Sequence, residues 1–314
     1  MYDILIVGGG TAGLTAAIYA RRAGRTVLVL EGNALGGQIT SSPLVENYPG
    51  LPAVSGADYA QALHAQAVNL GTEVKFGRVS AAQKTEGGFT LTVRKKTYEG
   101  KALILCTGVK HRHLGLEGEE ALTGRGVSYC ATCDGAFFKG MEVAVAGGGD
   151  SALQSALYLS AHCRKVYLIH RRTEFRAEAA HVAAMEGKDN ITPLLGWNVT
   201  GLAGEESLTE LTLTHAQTGE EKPLAVSGLF IAIGQEPENG PFAHLAPLDE
   251  FGYFAAGEDC CTPTPGVFVA GDCRAKTLRQ LTTAAGDGSV AATAACQWLA
   301  TASPLPGRSL AEGQ

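Results

Sequence analysis

The feature that most constrains this chain is a local pattern that occurs twice. Its first copy is "ILIVGGGTAGLTAAIYARRAGRTVLVLE" and its second is "VAVAGGGDSALQSALYLSAHCRKVYLIH". Each copy has a short apolar run, three glycines, a helical segment rich in alanine and leucine, and a second apolar run. This order of strand, glycine turn, helix and strand is the βαβ unit of a parallel sheet. The first glycine and the end of the second strand are 23 residues apart in both copies, from Gly8 to Glu31 and from Gly147 to His170.

The repeated unit predicts an α/β protein with two Rossmann-like dinucleotide-binding domains. Alternating segments such as "FTLTV", and a hairpin over "LTELTLTHAQTGEEKPL", predict an added antiparallel β layer beside each parallel sheet and its helices. A helix is expected over "GADYAQALHAQAVNLG", and a mobile end after Ala300. The length of 314 residues fits two domains of about 100–200 residues each.

The glycines of both copies fit a nucleotide-binding fingerprint, G-x-G-x-x-G or its variant ending in alanine. The positions are Gly8, Gly10 and Gly13 in the first copy and Gly147, Gly149 and Ala152 in the second. Unpaired N–H groups at the start of the following helix favour the negative charge of a pyrophosphate. One glycine-rich turn of this kind arises by chance, but two copies in matching contexts indicate two dinucleotide sites.

The residue that ends the second strand distinguishes the two sites. Glu31 ends it in the first copy, and an acid here accepts from ribose hydroxyls, which indicates FAD or NAD. His170, Arg171 and Arg172 stand in the same register in the second copy, with Arg176 one turn later. Arginine forks match phosphate oxygens in pairs, so this cluster indicates the 2′-phosphate of NADPH. A solvated basic turn is the alternative, and the shared register with Glu31 favours phosphate binding.

A late Gly-Asp turn in "FVAGD" indicates that the first site holds FAD. Asp272 is expected to meet the ribityl chain or the pyrophosphate, and a helix starting near Arg279 and Gln280 is expected to point its N-terminus at the flavin ring. The other predicted FAD positions are Thr11, Ala12, Gly37, Gln38, Asn47, Thr107, Gly108, Gly271 and Leu281, and the other predicted NADPH positions are Asp150, Ser151 and Gly234.

Cys130 and Cys133 form a CxxC with Asp134 directly behind it. A zinc site needs four ligands, usually from two such pairs, and the chain has one CxxC, so no metal site is predicted. A structural disulfide across so short a loop would stabilise the fold little. A CxxC thiol at a helix start commonly has a lowered pKa, which favours a redox-active pair. Asp134 is interpreted as its general acid or base or, alternatively, as a helix cap.

The charge and hydropathy of the chain limit the classes of partner and the cell compartment that we expect for it. The formal charge of −6 argues against nucleic acids and anionic membranes. The sequence has no run of 18 apolar residues and no basic, apolar leader at "MYDILIVGGG". We therefore expect a cytoplasmic protein, in which most of the eight cysteines remain thiols.

Several of these motifs, in one order, resemble the low-molecular-weight, bacterial-type thioredoxin reductases. The resemblance is carried by "GGGTAGLTAAIYARR", "VENYPG", "RGVSYCATCDG", "GGGDSALQSALYLS", "HRRTEFRA" and "GVFVAGDCRAKTLRQLTTAAGDG". It implies an FAD-binding domain made of residues 1–113 and 244–314. It also implies an inserted NADPH-binding domain, residues 114–243, that carries the CxxC.

The same resemblance implies an enzyme that passes electrons from NADPH through FAD to the disulfide of thioredoxin. It implies a homodimer with non-covalent FAD, in which Cys133 lies nearest the flavin and Cys130 attacks thioredoxin. Three alternatives stay open: ferredoxin as the donor, a flavin dithiol oxidase, and a flavin-based redox sensor. The arginines of the second copy disfavour the first two, and the complete electron path disfavours the sensor.

Overall fold

The computed structural model describes residues 1–42 and 44–302. The chain forms two compact units. The first combines Met1–Lys110 with the chain from Pro237 onward, and the second is His111–Glu236. The second unit is therefore an insertion in the first. The mobile end expected after Ala300 lies almost entirely outside the described residues.

The strands are, in chain order, β1 (Tyr2–Val7), β2 (Val27–Glu31), β3 (Glu73–Phe76), β4 (Val79–Thr85), β5 (Gly88–Val93), β6 (Lys96–Leu105), β7 (Val109–His111), β8 (Val127–Ser128), β9 (Glu142–Ala146), β10 (Lys165–His170), β11 (Ile191–Leu195), β12 (Trp197–Ala203), β13 (Glu210–His215), β14 (Glu221–Ala225), β15 (Gly228–Ile231), β16 (Gln235–Pro237) and β17 (Val267–Val269). The α-helices are α1 (Thr11–Arg22), α2 (Gly56–Asn69), α3 (Glu119–Leu122), α4 (Ala131–Asp134), α5 (Asp150–Ser160), α6 (Ala179–Glu186) and α7 (Leu281–Ala302).

The first unit is built on a sheet of order β3-β2-β1-β6-β5-β4, with β17 also paired to β6. Strands β3, β2, β1, β6 and β17 are parallel, while β5 and β4 extend the first half of β6 as an antiparallel layer. Helices α1 and α7 pack against each other. Their apolar side chains share one core cluster with one face of the parallel strands.

The continuous apolar run of β1 is explained by a sheet that is covered on both faces. Ile4 and Ile6 point into the core beneath α1 and α7, whereas Leu5 and Val7 point into the core beneath the antiparallel layer. Because successive side chains of a strand alternate between faces, a strand buried on both sides needs apolar residues at every position. This is why the strand shows no apolar-polar alternation.

The second unit repeats this plan with a parallel sheet of order β11-β10-β9-β15-β8 and an antiparallel sheet of order β12-β13-β14. In β9, Val143 and Val145 pack beside α5, while Ala144 and Ala146 pack in the core shared with the antiparallel sheet. The α/β class, the two Rossmann-like parallel sheets and the antiparallel layers are therefore confirmed. The helix at α2 and the hairpin of β13 and β14 are also confirmed.

No helix within the described part of the chain is long and apolar enough to cross a membrane.

Candidate active site: a cysteine pair and two nucleotide-binding turns

The predicted nucleotide-binding residues of the first unit follow three strands that end at the same level of the sheet. Val7 of β1 lies opposite Leu30 of β2 and Leu105 of β6 in a parallel register. The glycine turn after β1, Glu31 at the end of β2 and Thr107 just after β6 consequently lie along one edge of the sheet. The carboxyl edge of a parallel sheet is where ligands bind in folds of this kind.

Two of the three fingerprint glycines of the first copy, Gly8 in the turn and Gly13 in α1, are required by the packing of the chain itself. Gly8 has a φ of 106°, and a Cβ there would lie 2.1 Å from the carbonyl oxygen of Cys106. A Cβ at Gly13 would lie 1.9 Å from the carbonyl oxygen of Gly8, so α1 packs too closely on β1 for any larger residue. At Gly10 the closest protein atom would be 3.7 Å away, in Gly36. That open space lets a ligand approach the backbone at the start of α1.

Glu31 is buried, and both of its carboxylate oxygens accept backbone hydrogen bonds. Oε2 accepts from the N–H of Gly9 and Oε1 from the N–H of Asn33, each at 2.6 Å. The carboxylate is thereby held in one orientation beside the glycine turn. Each oxygen keeps a second lone pair, so Glu31 can still accept from a ligand hydroxyl.

A network of charges holds the Gly-Asp turn that follows β17. Asp287, in α7, accepts from the N–H of Gly271 at 2.9 Å and from two guanidinium nitrogens of Arg274 at 2.8 Å each. The ammonium of Lys276 lies 3.0 Å from Asp287 and 3.6 Å from Asp272. Burial raises the pKa of Asp272, whose Oδ1 has no hydrogen-bond partner among the described residues. A buried carboxylate oxygen without a hydrogen-bond donor can accept a hydrogen bond from a ligand.

The segment before α7 brings together predicted FAD residues from distant parts of the sequence. Arg279 lies over the ring of Tyr253, 4.2 Å from its centroid, and donates to the carbonyl oxygen of Asp272 at 3.2 Å. Gln280 accepts from the amide of Asn47 at 3.1 Å. The helix predicted to start near Arg279 and Gln280 begins at the next residue.

The remaining FAD positions predicted from the sequence lie in the same segments of the first unit. Thr11 and Ala12 are in the first turn of α1, Gly37 and Gln38 are in a 3₁₀ turn (Gly37–Ser41), Thr107 and Gly108 follow β6, and Leu281 opens α7. Gln38 donates to the carbonyl oxygen of Val109.

The second unit has the same arrangement at the carboxyl edge of its own sheet. Ala146 of β9 lies opposite Ile169 of β10 and Ile231 of β15. The second glycine turn, His170 and Gly234 therefore follow strands that end at one level. Ser151 and Ala152 lie in the first turn of α5.

The second turn also has one glycine that the packing of the chain requires and one that faces open space. Gly147 has a φ of 152°, and a Cβ there would lie 2.3 Å from the carbonyl oxygen of Ala232 and 2.7 Å from the Cβ of Ala152. At Gly149 an added Cβ would have no atom of the described residues within 4 Å, apart from its chain neighbours and its own helix. The backbone conformation of Gly149 is extended, with φ of −103°, which any residue adopts. The chain itself therefore does not require glycine at this position.

Asp150 turns away from the glycine loop toward the start of α6. Its Oδ1 accepts from the N–H of Glu178 at 2.8 Å and lies 2.8 Å from Nδ1 of His181. The hydrogen bond from Glu178, followed by that with His181, lowers the pKa of Asp150. The carboxylate thus ties α5 to the segment that carries the arginines.

His170 and the arginines occupy different positions, although they are adjacent in the sequence. His170 is buried, stacks on Phe175 with 5.9 Å between ring centroids, and packs under Gly148, where a Cβ would lie 2.3 Å from Nδ1. Burial, together with the neighbouring arginine charges, lowers the pKa of His170, so its ring is neutral at pH 7. The side chains of Arg171, Arg172 and Arg176 are exposed. Positive charge for an anionic ligand therefore comes from the arginines.

Cys130 and Cys133 are joined in a disulfide, with their Cα atoms 5.3 Å apart. Cys130 immediately precedes α4, and its carbonyl oxygen accepts from the N–H groups of Cys133 and Asp134 at 3.2 Å and 3.1 Å. The pair therefore lies at the start of a short helix, as the sequence predicts. Sulfurs joined to each other are not metal ligands, so the disulfide favours the redox interpretation over zinc.

Asp134 lies directly behind the disulfide in a largely enclosed position. Its Oδ2 accepts from the hydroxyl of Ser128 at 2.6 Å, while Oδ1 is buried without a hydrogen-bond partner among the described residues. Burial raises the pKa of Asp134, and the hydrogen bond from Ser128 opposes that rise. The Asp134 side chain makes no capping hydrogen bond, so the helix-cap alternative has no support.

Comparison with known proteins identifies the family. The sequence profile of the pyridine nucleotide-disulphide oxidoreductases matches residues 2–288. The chain belongs to this family. The thioredoxin reductase of Listeria innocua is 41% identical over 294 residues, which make up 93% of this chain and 92% of that protein. The bifunctional thioredoxin reductase/thioredoxin of Mycobacterium leprae is 41% identical over 303 residues, 96% of this chain and 66% of that protein.

The similarity extends to solved structures. The crystal structure of thioredoxin reductase from Streptococcus pyogenes superposes with a TM-score of 0.92 at 36% sequence identity, covering 96% of this chain and 99% of that one. The resemblance to bacterial-type thioredoxin reductases is confirmed. So is the activity class, an NADPH-dependent flavoprotein disulfide reductase with FAD and NADPH as cofactors.

The residues present fit both cofactors of this oxidoreductase family. Open space beside Gly10 and Gly149 provides two helix starts that a pyrophosphate can approach closely. Oδ1 of Asp272 has the Lys276 ammonium 3.6 Å away but no hydrogen-bond donor among the described residues, so it offers an acceptor for a hydroxyl group. Exposed arginines beside the second turn offer donors for a phosphate.

Gly149→Ala is expected to leave the fold intact and to weaken NADPH binding by about tenfold or more, because the added methyl fills the space in which a pyrophosphate approaches. The measurement is the dissociation constant for NADPH, with thermal unfolding of the same samples. Gly147→Ala is the matched variant, and it should lower the unfolding temperature because its methyl meets Ala232. Unchanged NADPH affinity in Gly149→Ala would contradict this assignment.

Sequence reasoning missed three polar residues that organise these sites. Asp287 holds the Gly-Asp turn, and Ser128 holds Asp134. Asn239, fully buried, accepts from Thr107 at 2.6 Å and donates to the carbonyl oxygen of Cys273 at 2.8 Å. An acid within the alanine-rich segment of α7 was a usable signal for Asp287. The sequence holds no comparable signal for Ser128 or Asn239.

Proposed function

We propose that this chain is a thioredoxin reductase in which the first unit binds FAD and the second binds NADPH and carries the reactive cysteines. One observation carries the proposal. The Cys130–Cys133 disulfide lies beside an enclosed carboxylate, in the same unit as a nucleotide-binding turn flanked by exposed arginines. That unit therefore holds both a group that binds an electron donor and a group that exchanges electrons with a protein disulfide.

The cofactor sites are proposed from the residues that gather at each sheet edge. In the first unit Glu31 would accept from the adenosine ribose and Asp272 from a flavin-side hydroxyl, and the N-terminus of α7 would favour negative charge on the flavin. In the second unit the start of α5 holds the NADPH pyrophosphate, and the arginines hold its 2′-phosphate. When bound, FAD supplies the two-electron relay between the NADPH hydride and the disulfide.

The cysteines then carry out dithiol–disulfide exchange. In the reduced protein the Cys130 thiolate attacks one sulfur of the thioredoxin disulfide, which breaks that S–S bond and forms a mixed disulfide. The departing thioredoxin thiolate takes a proton from Asp134. The Cys133 thiolate next attacks Cys130 Sγ, which releases the second thioredoxin thiolate and restores the disulfide. Overall the two cysteine sulfurs lose two electrons and thioredoxin gains them, while Asp134 supplies one of the two new thiol protons and water supplies the other.

The partner and the assembly are proposed from similarity. The Mycobacterium leprae relative is named for a reductase and a thioredoxin in one chain, which supports thioredoxin as the electron acceptor here. A homodimer and a cytoplasmic location complete the proposal. The formal charge of −6 gives no basis for a nucleic-acid partner.

The test is an anaerobic titration of the purified flavoprotein with NADPH, NADH or reduced ferredoxin, followed by addition of oxidised thioredoxin. We expect NADPH to bleach the flavin and thioredoxin thiols to appear in proportion to the NADPH consumed. Bleaching of the flavin by reduced ferredoxin but not by NADPH would refute NADPH as the electron donor. If thioredoxin stays unreduced and the reduced flavin reoxidises only when oxygen is then admitted, the dithiol oxidase would be favoured.

A further inference from the structure

Ser128 connects the two halves of the redox centre through one hydroxyl group. It is the last residue of β8, and only 4% of its surface is exposed. Its Oγ accepts from the backbone N–H of Cys130 at 3.0 Å and donates to Oδ2 of Asp134 at 2.6 Å. The hydroxyl therefore contacts the main chain of one reactive cysteine and the carboxyl group that follows the other.

The direction of these bonds follows from the hydrogen count. A serine hydroxyl has a single hydrogen, and the N–H of Cys130 already occupies one lone pair of Oγ. The hydrogen can go to Asp134 at 2.6 Å or to the carbonyl oxygen of Cys130 at 3.4 Å. The much shorter contact, to a carboxyl oxygen, is the stronger bond. Ser128 is therefore a donor to Asp134.

The two carboxyl oxygens of Asp134 differ in their hydrogen bonding. Oδ2 is fixed by Ser128, while Oδ1 is buried with no hydrogen-bond partner among the described residues. A buried polar atom without a partner is costly in a resting fold and is expected to gain one during function. Oδ1 is therefore the oxygen of Asp134 that is available to exchange a proton.

We propose that Ser128 is the positioning residue for the general acid, holding Oδ2 of Asp134 so that Oδ1 faces the exchanging sulfur. The inference rests on the proposed function, because it assigns a part in dithiol–disulfide exchange. In that step Oδ1 gives its proton to the thiolate released when Cys130 forms the mixed disulfide. The carboxylate left behind is stabilised by the hydroxyl of Ser128. It regains a proton from water before the next turnover, so the proton count balances.

The positioning role has a consequence that a purely structural role lacks. A hydrogen bond donated to a carboxylate favours the charged form, so removing it should raise the pKa of Asp134. The acid must be protonated to act, and its activity falls as pH rises through that pKa. Ser128→Ala should therefore lower the maximal rate and also move the falling limb of the pH profile to higher pH. A general distortion of the site would lower the rate at every pH alike.

The experiment measures the pH dependence of turnover with thioredoxin, and separately the exchange of the reduced protein with oxidised glutathione. We expect Ser128→Ala to lower both rates about tenfold at neutral pH and to shift the falling limb upward by about one pH unit. Ser128→Thr, which keeps the hydroxyl, should restore the rate to within about threefold. Ser160→Ala is the matched control, since the Ser160 hydroxyl donates to the carbonyl oxygen of Leu157 in its own helix.

A double-mutant cycle separates action through Asp134 from independent damage. Adding Ser128→Ala to Asp134→Asn should cost little further rate if Ser128 works through Asp134. A full additional tenfold loss, or an unshifted pH limb in Ser128→Ala, would overturn the inference. Wild-type protein that exchanges with glutathione but fails to reduce thioredoxin would refute the proposed function alone, because the glutathione arm still tests Ser128.

Discussion

Cys130→Ser is expected to lower the kcat for thioredoxin reduction by about 10³-fold or more. A serine hydroxyl cannot form the disulfide with Cys133, and it supplies no nucleophile comparable to a thiolate near neutral pH. The reduction of the flavin by NADPH should continue, because that step uses neither sulfur. The measurement pairs steady-state thioredoxin reduction with rapid-mixing absorbance of the flavin.

Cys133→Ser separates the roles of the two cysteines. If Cys130 is the attacking residue, this variant should also lose turnover but should accumulate a mixed disulfide with thioredoxin, since no thiol remains to resolve it. Mass spectrometry of the non-reduced reaction would detect the adduct. An adduct that forms with Cys130→Ser and not with Cys133→Ser would reverse the assignment.

Cys261→Ser is the control for both cysteine variants. Cys261 is a free, partly exposed thiol in the first unit, and its backbone N–H donates to Asp259. Burial and the nearby Asp259 charge raise the pKa of the Cys261 thiol, which keeps it protonated and unreactive at neutral pH. Its replacement should leave turnover within about twofold of the wild type.

The fold could be predicted because its signals are local. The two βαβ units span consecutive residues, and the apolar runs of β1 and β9 follow from burial on both faces of each parallel sheet. The sequence predicts the fingerprint glycines as one group of nucleotide-binding residues. The structure divides them: Gly8 and Gly147 are required by nearby backbone, whereas Gly149 faces open space.

The polar framework of the candidate site could not be predicted, because its contacts join distant segments. Asn239 bonds Thr107 across 132 positions, and no spacing rule connects them. Ser128 and Asp134 are six positions apart, but their contact depends on how the chain turns between β8 and α4. His170 illustrates the same limit, since its place in the register suggested a charged phosphate contact and the structure buries it as a neutral ring under Gly148.

Coenzyme choice is expected to depend on the three exposed arginines of the second unit. The combined substitution of Arg171, Arg172 and Arg176 by alanine should lower the ratio of kcat/KM for NADPH to that for NADH by about 10²-fold, because NADH has no 2′-phosphate for these guanidiniums to bind. The main part of the loss should be in KM for NADPH, since the phosphate contact is the same in ground state and transition state. Steady-state kinetics with both coenzymes provide the measurement.

The burial of His170 sharpens this expectation. A neutral, enclosed ring contributes no charge, so the preference for NADPH should be lost with the arginines while His170 stays in place. Arg164→Ala is the matched control, because Arg164 is an exposed arginine of the same unit that pairs with Glu142 at 3.2 Å. It should leave the coenzyme ratio unchanged. A triple variant that still prefers NADPH as strongly as the wild type would show that the 2′-phosphate is bound elsewhere, and the register argument from Glu31 to His170 would fail with it.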